Sequence, residues 1–147
     1  MGSKNSDYPF LLSSDMIQDV MQDSAGHIWM ATDHGGIDVI DKKTGNLTIL
    51  RNQPNDERSI AHNSINCIYA DQDDMIWVGT YKNGISYYSE SIYKFGIEHL
   101  HSFNKIDNFK PDVNSIIKDE NDNIWIGSNG SGLIRMDRNN RSSSHYS

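Results

Sequence analysis

One cysteine, Cys67, stands in 147 residues, so the chain has no intrachain disulfide and no thiolate cluster to hold a metal. It falls in an expected strand, where a small buried thiol is a packing residue rather than a nucleophile. Basic clusters are also missing: no run of Lys and Arg reaches five, and 13 basic against 20 acidic residues leave a net charge of −7. Nucleic acid and anionic membrane surfaces need clustered cations that displace counterions, so neither is expected as a partner. The charge serves solubility. No apolar run approaches the about 18 residues that cross a bilayer, so this segment is not expected to insert into a membrane. The first twelve residues lack the apolar stretch of about 7–15 residues found in a signal peptide. Met1-Gly2-Ser3 reads as an added leader, and the chain is expected to be an excised piece whose signal and anchor lie elsewhere. A 3.6-residue apolar period of helical length is absent too, which removes the helical classes.

What is present is a repeat. Asp23-Ser-Ala-Gly-His-Ile28-Trp29, Asp71-Gln-Asp-Asp-Met-Ile76-Trp77 and Asp119-Glu-Asn-Asp-Asn-Ile124-Trp125 follow one another at intervals of 48 residues, without drift. Each frame sits in the same series of short segments. An alternating run comes first (Ile17–Met21, Ile65–Tyr69, Val113–Ile117), then a polar turn at 23–27, 71–75 and 119–123. A β-branched and aromatic stretch follows (Ile28–Thr32, Ile76–Thr80, Ile124–Ser128). A second turn closes on Gly36, Gly84 or Gly132, read as positions of positive φ. A third strand then begins (Ile37–Ile40, Ile85–Tyr88, Leu133–Met136). A fourth is readable at Asn46–Leu50 and at Phe95–Leu100, whereas the third unit offers only Ser142–Tyr146 there, a poor strand on side-chain grounds.

Four short strands per unit, repeated with a period of 40–50 residues, make an all-β chain and the blades of a β-propeller. The expectation is a partial β-propeller of about three four-stranded antiparallel blades, the last without a good outer strand. Residues 1–11 form an extension, 12–59 blade 1, 60–107 blade 2, 108–141 a partial blade 3 and 142–147 a tail. Propellers close with about four to eight blades, so two apolar blade faces are left for further blades or for a second copy of the chain.

The run Asn63-Ser-Ile65…Ile68…Asp71…Ile76-Trp77-Val78-Gly79-Thr80-Tyr81-Lys82-Asn83-Gly84-Ile85-Ser86-Tyr87-Tyr88 resembles the two-component regulator propeller repeat. The pattern recurs at Ile17…Asp23…Gly26…Trp29…Gly35-Gly36-Ile37 and at Val113…Asp119…Trp125-Ile126-Gly127…Gly132-Leu133. Ala31, Asp74, Asp122, Asn83 and Ser131 stand where that pattern prefers glycine. The resemblance implies the periplasmic, extracytoplasmic sensor of a hybrid two-component system. Such a sensor detects an oligosaccharide and signals through a membrane helix to a histidine kinase.

The residues themselves favour binding over chemistry. Periodic tryptophans of this kind pack between blades more readily than they serve as sugar platforms. Asp119-Glu-Asn121-Asp-Asn123 begins like a calcium loop, but Ile124 and Gly130 occupy the sixth and twelfth positions, where that loop needs Gly and Glu. The acidic stretches are therefore hairpin turns. Asp23, Gly26 and Trp29 are spaced one residue too long for a sialidase-type Asp-box, and no Asp follows any of the three tryptophans. His99 and His101 alternate along one face without a third ligand, which is too few for a metal. No nucleophile, base and oxyanion donor come together, so neither an enzyme nor a cofactor is expected; a propeller lyase or hydrolase is the remote alternative. In an up-and-down blade, the second turn and the connection to the next blade share one face of the ring. That face carries the candidate ligand-binding residues Asp33, His34, Arg58, His62, Asn63, Tyr81, Lys82, Asn83 and Asn129, a mixture of aromatic and amide groups suited to a hydroxyl-rich ligand. The rival reading is an assembly module using the open blade faces.

Overall fold

The computed structural model describes residues 11–89, 111–139 and 142–147, together with the backbone of 94–98. The described elements are strands, in three four-stranded antiparallel sheets. Blade 1 is β1 (Ile17–Gln22), β2 (Ile28–Thr32), β3 (Gly36–Asp41) and β4 (Asn46–Leu50). Blade 2 is β5 (Ile65–Ala70), β6 (Ile76–Thr80), β7 (Ile85–Ser89) and β8 (Lys94–Glu98). Blade 3 is β9 (Asp112–Lys118), β10 (Asn123–Asn129), β11 (Gly132–Asp137) and β12 (Ser142–Tyr146). Within each blade the strands pair in chain order, and the innermost strands touch from blade to blade, β1 against β5 and β5 against β9.

The last strand corrects the sequence reading. Ser142–Tyr146, expected to be too poor in side chains to form a strand, pairs with β11 from Asp137↔Ser142 to Leu133↔Tyr146. Backbone groups make that ladder, and an outer edge strand tolerates serines because it faces water. Tyr146 adds a side-chain anchor by stacking on Trp125, centroids 6.0 Å apart and planes at 21°. In blade 2 the fourth strand starts one residue earlier than expected, at Lys94; His99 and His101 lie outside the described residues.

Each innermost strand carries a bulge at the same place, seen as a register shift between Ile17 and Asp19, between Ile65 and Cys67, and opposite Gly127/Ser128. The extra residue bends the strand and frees side chains to bridge blades. Asp19 accepts the Ile68 N–H at 3.0 Å, and the Asn66 amide donates to Asp112 and to the Val113 carbonyl at 2.7 and 3.0 Å. Those bridges explain one departure from the repeat pattern. A Cβ at Gly79 would lie 2.4 Å from Cys67 Sγ, and one at Gly127 2.3 Å from Ser115 Oγ. In blade 1, where Asp19 reaches across to blade 2, Ala31 fits and is fully buried.

The core lies between blades rather than within them. Trp29, Ile37, Ile60, Ile68 and Val78 belong to the cluster joining blades 1 and 2; Trp77, Ile85, Val113, Ile126 and Met136 belong to the one joining blades 2 and 3. Burial of each such side chain contributes about 1.5–3 kcal/mol, so each blade depends on its neighbours for stability. Trp29 and Trp77 are 5% and 3% exposed, which settles them as packing residues, whereas Trp125 is half-buried on the outer face of blade 3. Cys67 is buried in the second cluster, and burial, with Asp19 nearby, pushes its thiol up to about 12, so it stays protonated and inert.

Candidate functional site

Two hairpin devices recur with the period and set the faces of the ring. The first is at the turn joining the first and second strands. The turn aspartate accepts the backbone N–H four residues on with Oδ1, at 2.8 Å from His27, 3.0 Å from Met75 and 2.9 Å from Asn123. With Oδ2 it accepts the indole N–H six residues on, at 2.8, 3.0 and 2.7 Å for Trp29, Trp77 and Trp125. Hydrogen bonds from Trp125 and then Asn123 hold the Asp119 carboxyl down to about 2. Burial raises Asp23, but the bonds from Trp29 and His27 outweigh it and leave Asp23 below the usual carboxylate range. These oxygens are committed to N–H donors, which is why the acidic turns are no calcium loop. Asp74 and Asp122 stand at φ 57° and 63° where blade 1 has Gly26, a conformation that aspartate tolerates better than most residues.

The second device closes the hairpin between the second and third strands. Thr32, Thr80 and Ser128 each donate a hydroxyl hydrogen bond of 2.8 Å to the carbonyl of Gly36, Gly84 or Gly132. These glycines have φ of 88°, 72° and 69°, as their position in the repeat requires.

The connection between blades 1 and 2, residues 51–64, docks on those second hairpins. Gly36 N–H donates to the Asn63 carbonyl at 2.8 Å and Tyr81 N–H to that of Ser64 at 3.0 Å. Ile60 is fully buried beneath the connection. Two of the candidate amides hold this loop together: Asn63 Oδ1 accepts the Asn52 N–H at 2.7 Å, and Asn83 donates to the Ala61 carbonyl at 3.1 Å. A buried connection must satisfy its own backbone, and these side chains do so.

Three candidates converge above it. His62 Nδ1 accepts the Ser64 N–H at 2.9 Å, so that nitrogen carries no proton, and its ring lies 6.2 Å from that of Tyr81. Lys82, at φ 55°, places Nζ 4.8 Å from the Tyr81 ring centroid; a hydrogen bond to Tyr81 and the charge of Asp112 raise its pKa. Tyr81 is 41% exposed, enough to offer a ring face. Asp33 and His34 form a pair at 2.9 Å, and the His34 N–H reaches Ser64 Oγ at 3.3 Å. Arg58 is turned to Asp56 at 3.2 Å, and Asn129 is an exposed residue at the end of β10, one blade further on. The structure thus gathers His62, Tyr81 and Lys82, ties Asp33–His34, Asn63 and Asn83 to the same loop, and leaves Arg58 and Asn129 at its periphery. Among the described residues, no three metal-ligating side chains converge.

The period did not announce a cavity at the junction of blades 1 and 2, of about 350 Å³, lined by His27, Trp29, Val39, Asp41, Asn46, Thr48, Leu50 and Tyr88. Its lining includes His27 from the turn after β1, and Asp41 and Asn46, which flank the turn after β3. A signal was present in the sequence: Val39 stands where blade 2 has Tyr87.

Comparison with known proteins fits this architecture. The two-component regulator propeller profile matches residues 11–34, 59–82 and 110–130, one match per blade. No curated protein matches the chain. Among solved structures, the extracellular domain of a hybrid two-component system from B. thetaiotaomicron superposes with a TM-score of 0.83 at 21% identity, over 98% of this chain and 20% of its own. A second such domain from the same organism gives a TM-score of 0.66 at 24% identity, over 92% of this chain and 17% of its own. Virginiamycin B lyase from Staphylococcus aureus gives a TM-score of 0.64 at 17% identity, over 89% of this chain and 41% of its own. The chain therefore spans about one-fifth of the extracellular domains it matches, and likeness at these identities speaks to the fold.

Proposed function

We infer, for a chain whose three blades are two-component regulator propeller repeats, a non-catalytic role as a segment of the extracytoplasmic sensor of a hybrid two-component system. The ligand is an oligosaccharide, and its binding is relayed to a histidine kinase. The observation that carries the ligand reading is the group His62, Tyr81 and Lys82 on the loop face. There an exposed phenol ring in the turn after β6 is flanked by the Lys82 ammonium of the same turn and by the His62 imidazole of the internally bonded connection. A ring face with hydrogen-bonding neighbours is what a pyranose requires, and a rigid loop loses little entropy on binding. Calorimetry of a longer, closed propeller containing these blades, against a panel of neutral oligosaccharides, tests it. Binding by at least one glycan, weakened about tenfold by Tyr81→Ala, is expected; no response to any glycan overturns the reading. The extracellular character of the matched domains supports the periplasmic placement, and no described helix is long and apolar enough to cross a membrane.

One observation favours a second role, as an assembly surface. Val20 and Ile49 are exposed on the outer face of blade 1, and Ile117, Leu133 and Tyr146 on the outer face of blade 3. These two faces match the partners that meet at the internal junctions, so they suit coverage by further blades or by a second copy in a head-to-tail contact. Light scattering distinguishes these: a monodisperse monomer of this chain removes the second copy.

A further inference from the structure

The two internal junctions are built from the same repeat, so an occupant of one indicates what the other can hold. Between blades 2 and 3, Arg138 places its guanidinium carbon 5.5 Å from the Trp77 ring centroid. Nη1 lies 3.6 Å from Asp71 Oδ2 and 3.8 Å from Asp73, and Nη2 lies 3.9 Å from Met75 Sδ. The Tyr87 ring packs 5.9 Å from the same indole and fills the rest of the space. One period earlier the indole is Trp29, the turn acid is Asp23, Met75 becomes His27, and Tyr87 becomes Val39. The sequence has Glu90, not a base, where Arg138 would fall. The smaller Val39 leaves the cavity of about 350 Å³ against Trp29, within the range of small-ligand sites.

We propose that the cavity between blades 1 and 2 binds an organic guanidinium cation, free or as an arginine side chain of another chain, in the place that Arg138 occupies one blade on. Trp29 and Tyr88, with centroids 5.5 Å apart, supply electron-rich walls. Val39 and Leu50 form the apolar floor for a methylene stem, and Asn46 and Thr48 offer hydrogen-bonding rims. Asp41 brings a carboxylate to the opening, held in place by the Lys43 N–H and the Thr44 hydroxyl, both at 2.8 Å. Asp23 lies behind, with Oδ2 2.8 Å from His27 Nδ1. Among the described residues that line the cavity there is no Lys or Arg to compete with the cation. The site is separate from the loop face and does not depend on the glycan reading.

Titration of the chain with L-argininamide, with citrullinamide, whose side-chain urea is a neutral isostere of the guanidinium, and with a capped tripeptide carrying a central arginine, followed by the Trp29 indole resonance, tests this. The two guanidinium probes should bind at least tenfold more tightly than citrullinamide. A tighter argininamide marks a free ligand, and a tighter tripeptide marks a side chain from a partner. Val39→Tyr, which restores the residue of blade 2, should abolish the response. Thr48→Arg, at an exposed strand position that leaves the fold intact, should reduce it at least tenfold by supplying a tethered competitor. Equal binding of citrullinamide, no binding of either guanidinium probe, or binding indifferent to Thr48→Arg overturns the proposal.

Discussion

The junction between blades 2 and 3 and the junction between blades 1 and 2 are two solutions to one packing problem. In the first, the tryptophan is covered by Tyr87, Met136 and the Arg138 guanidinium, and charge links the blades further through Lys118 Nζ, 3.2 Å from Asp73. In the second, the tryptophan packs directly on Tyr88 beside a cavity that both rings line, its aspartate is satisfied by His27 of the same turn, and the 51–64 connection supplies the buried Ile60. The repeat dictates that an indole is buried there. It leaves open how the indole is covered, and small substitutions at Val39 and His27 turn a filled junction into a hollow one.

This contrast can be broken most directly at the indoles. Trp77→Ala should cost about 3–5 kcal/mol and Trp29→Ala about 3, because Trp29 already borders empty space. Chemical denaturation reads both, and a larger loss at Trp29 would reverse the ranking. Asp71→Ala should come next, at about 3 kcal/mol, since it removes the nearer carboxylate beside the partly buried Arg138 and leaves three N–H donors without their acceptor. Asp23→Ala should cost about 2 kcal/mol, since its side-chain partner is an imidazole rather than a fixed cation.

Three further substitutions sharpen the same comparison. Gly79→Ala should cost about 1–3 kcal/mol by forcing a methyl onto Cys67 and Val113. Ala31→Gly, the reverse change at the hollow junction, should cost about 1–2 kcal/mol through backbone freedom and the loss of a fully buried methyl. Equal losses would show that the bridging Asp19 does not create the room assigned to it. Arg138→Met keeps the stem over Trp77 while removing charge, and should cost about 1 kcal/mol, shrinking as salt is raised.

The gentlest probe is pH. Asp119 titrates at about 2 in the folded chain against an ordinary aspartate value of 3.8, so the stabilisation it contributes is complete above 3.8. It is lost as pH falls through about 2. The Trp125 indole N–H resonance should move with that lower midpoint, and a midpoint near 3.8 would show the hydrogen bond to be unformed.

The strands with β-branched and aromatic side chains were legible from the density of those residues between turns, as in Ile28–Thr32, where four of five residues are buried, and Ile76–Thr80, where all five are. Ser142–Tyr146 was not, because its place in the sheet rests on backbone pairing and one aromatic stack. Asp23, Asp71 and Asp119 were visible as turn residues, yet their bonds to the indoles were hidden. A spacing of six residues does not reveal that the turn folds a carboxylate beneath the ring. At the candidate loop, Asn63 and Asn83 read as side chains facing a ligand, while the structure turns them inward to hold the connection. The hollow junction needed register as well as period, since it depends on Val39 and Tyr88 meeting across two sheets.

The hydrogen bond from each indole to an aspartate of its own blade also bears on assembly of the chain from the unfolded state. It closes a loop of only six residues, so its entropic cost is small and it can form before any contact between blades exists. Each blade thus carries a local nucleus that sets the tryptophan in its orientation, and the next blade arrives to find the docking surface already drawn. A local closure of this kind orders the hairpin first, and the blade-to-blade contacts, which join residues far apart in the sequence, follow it.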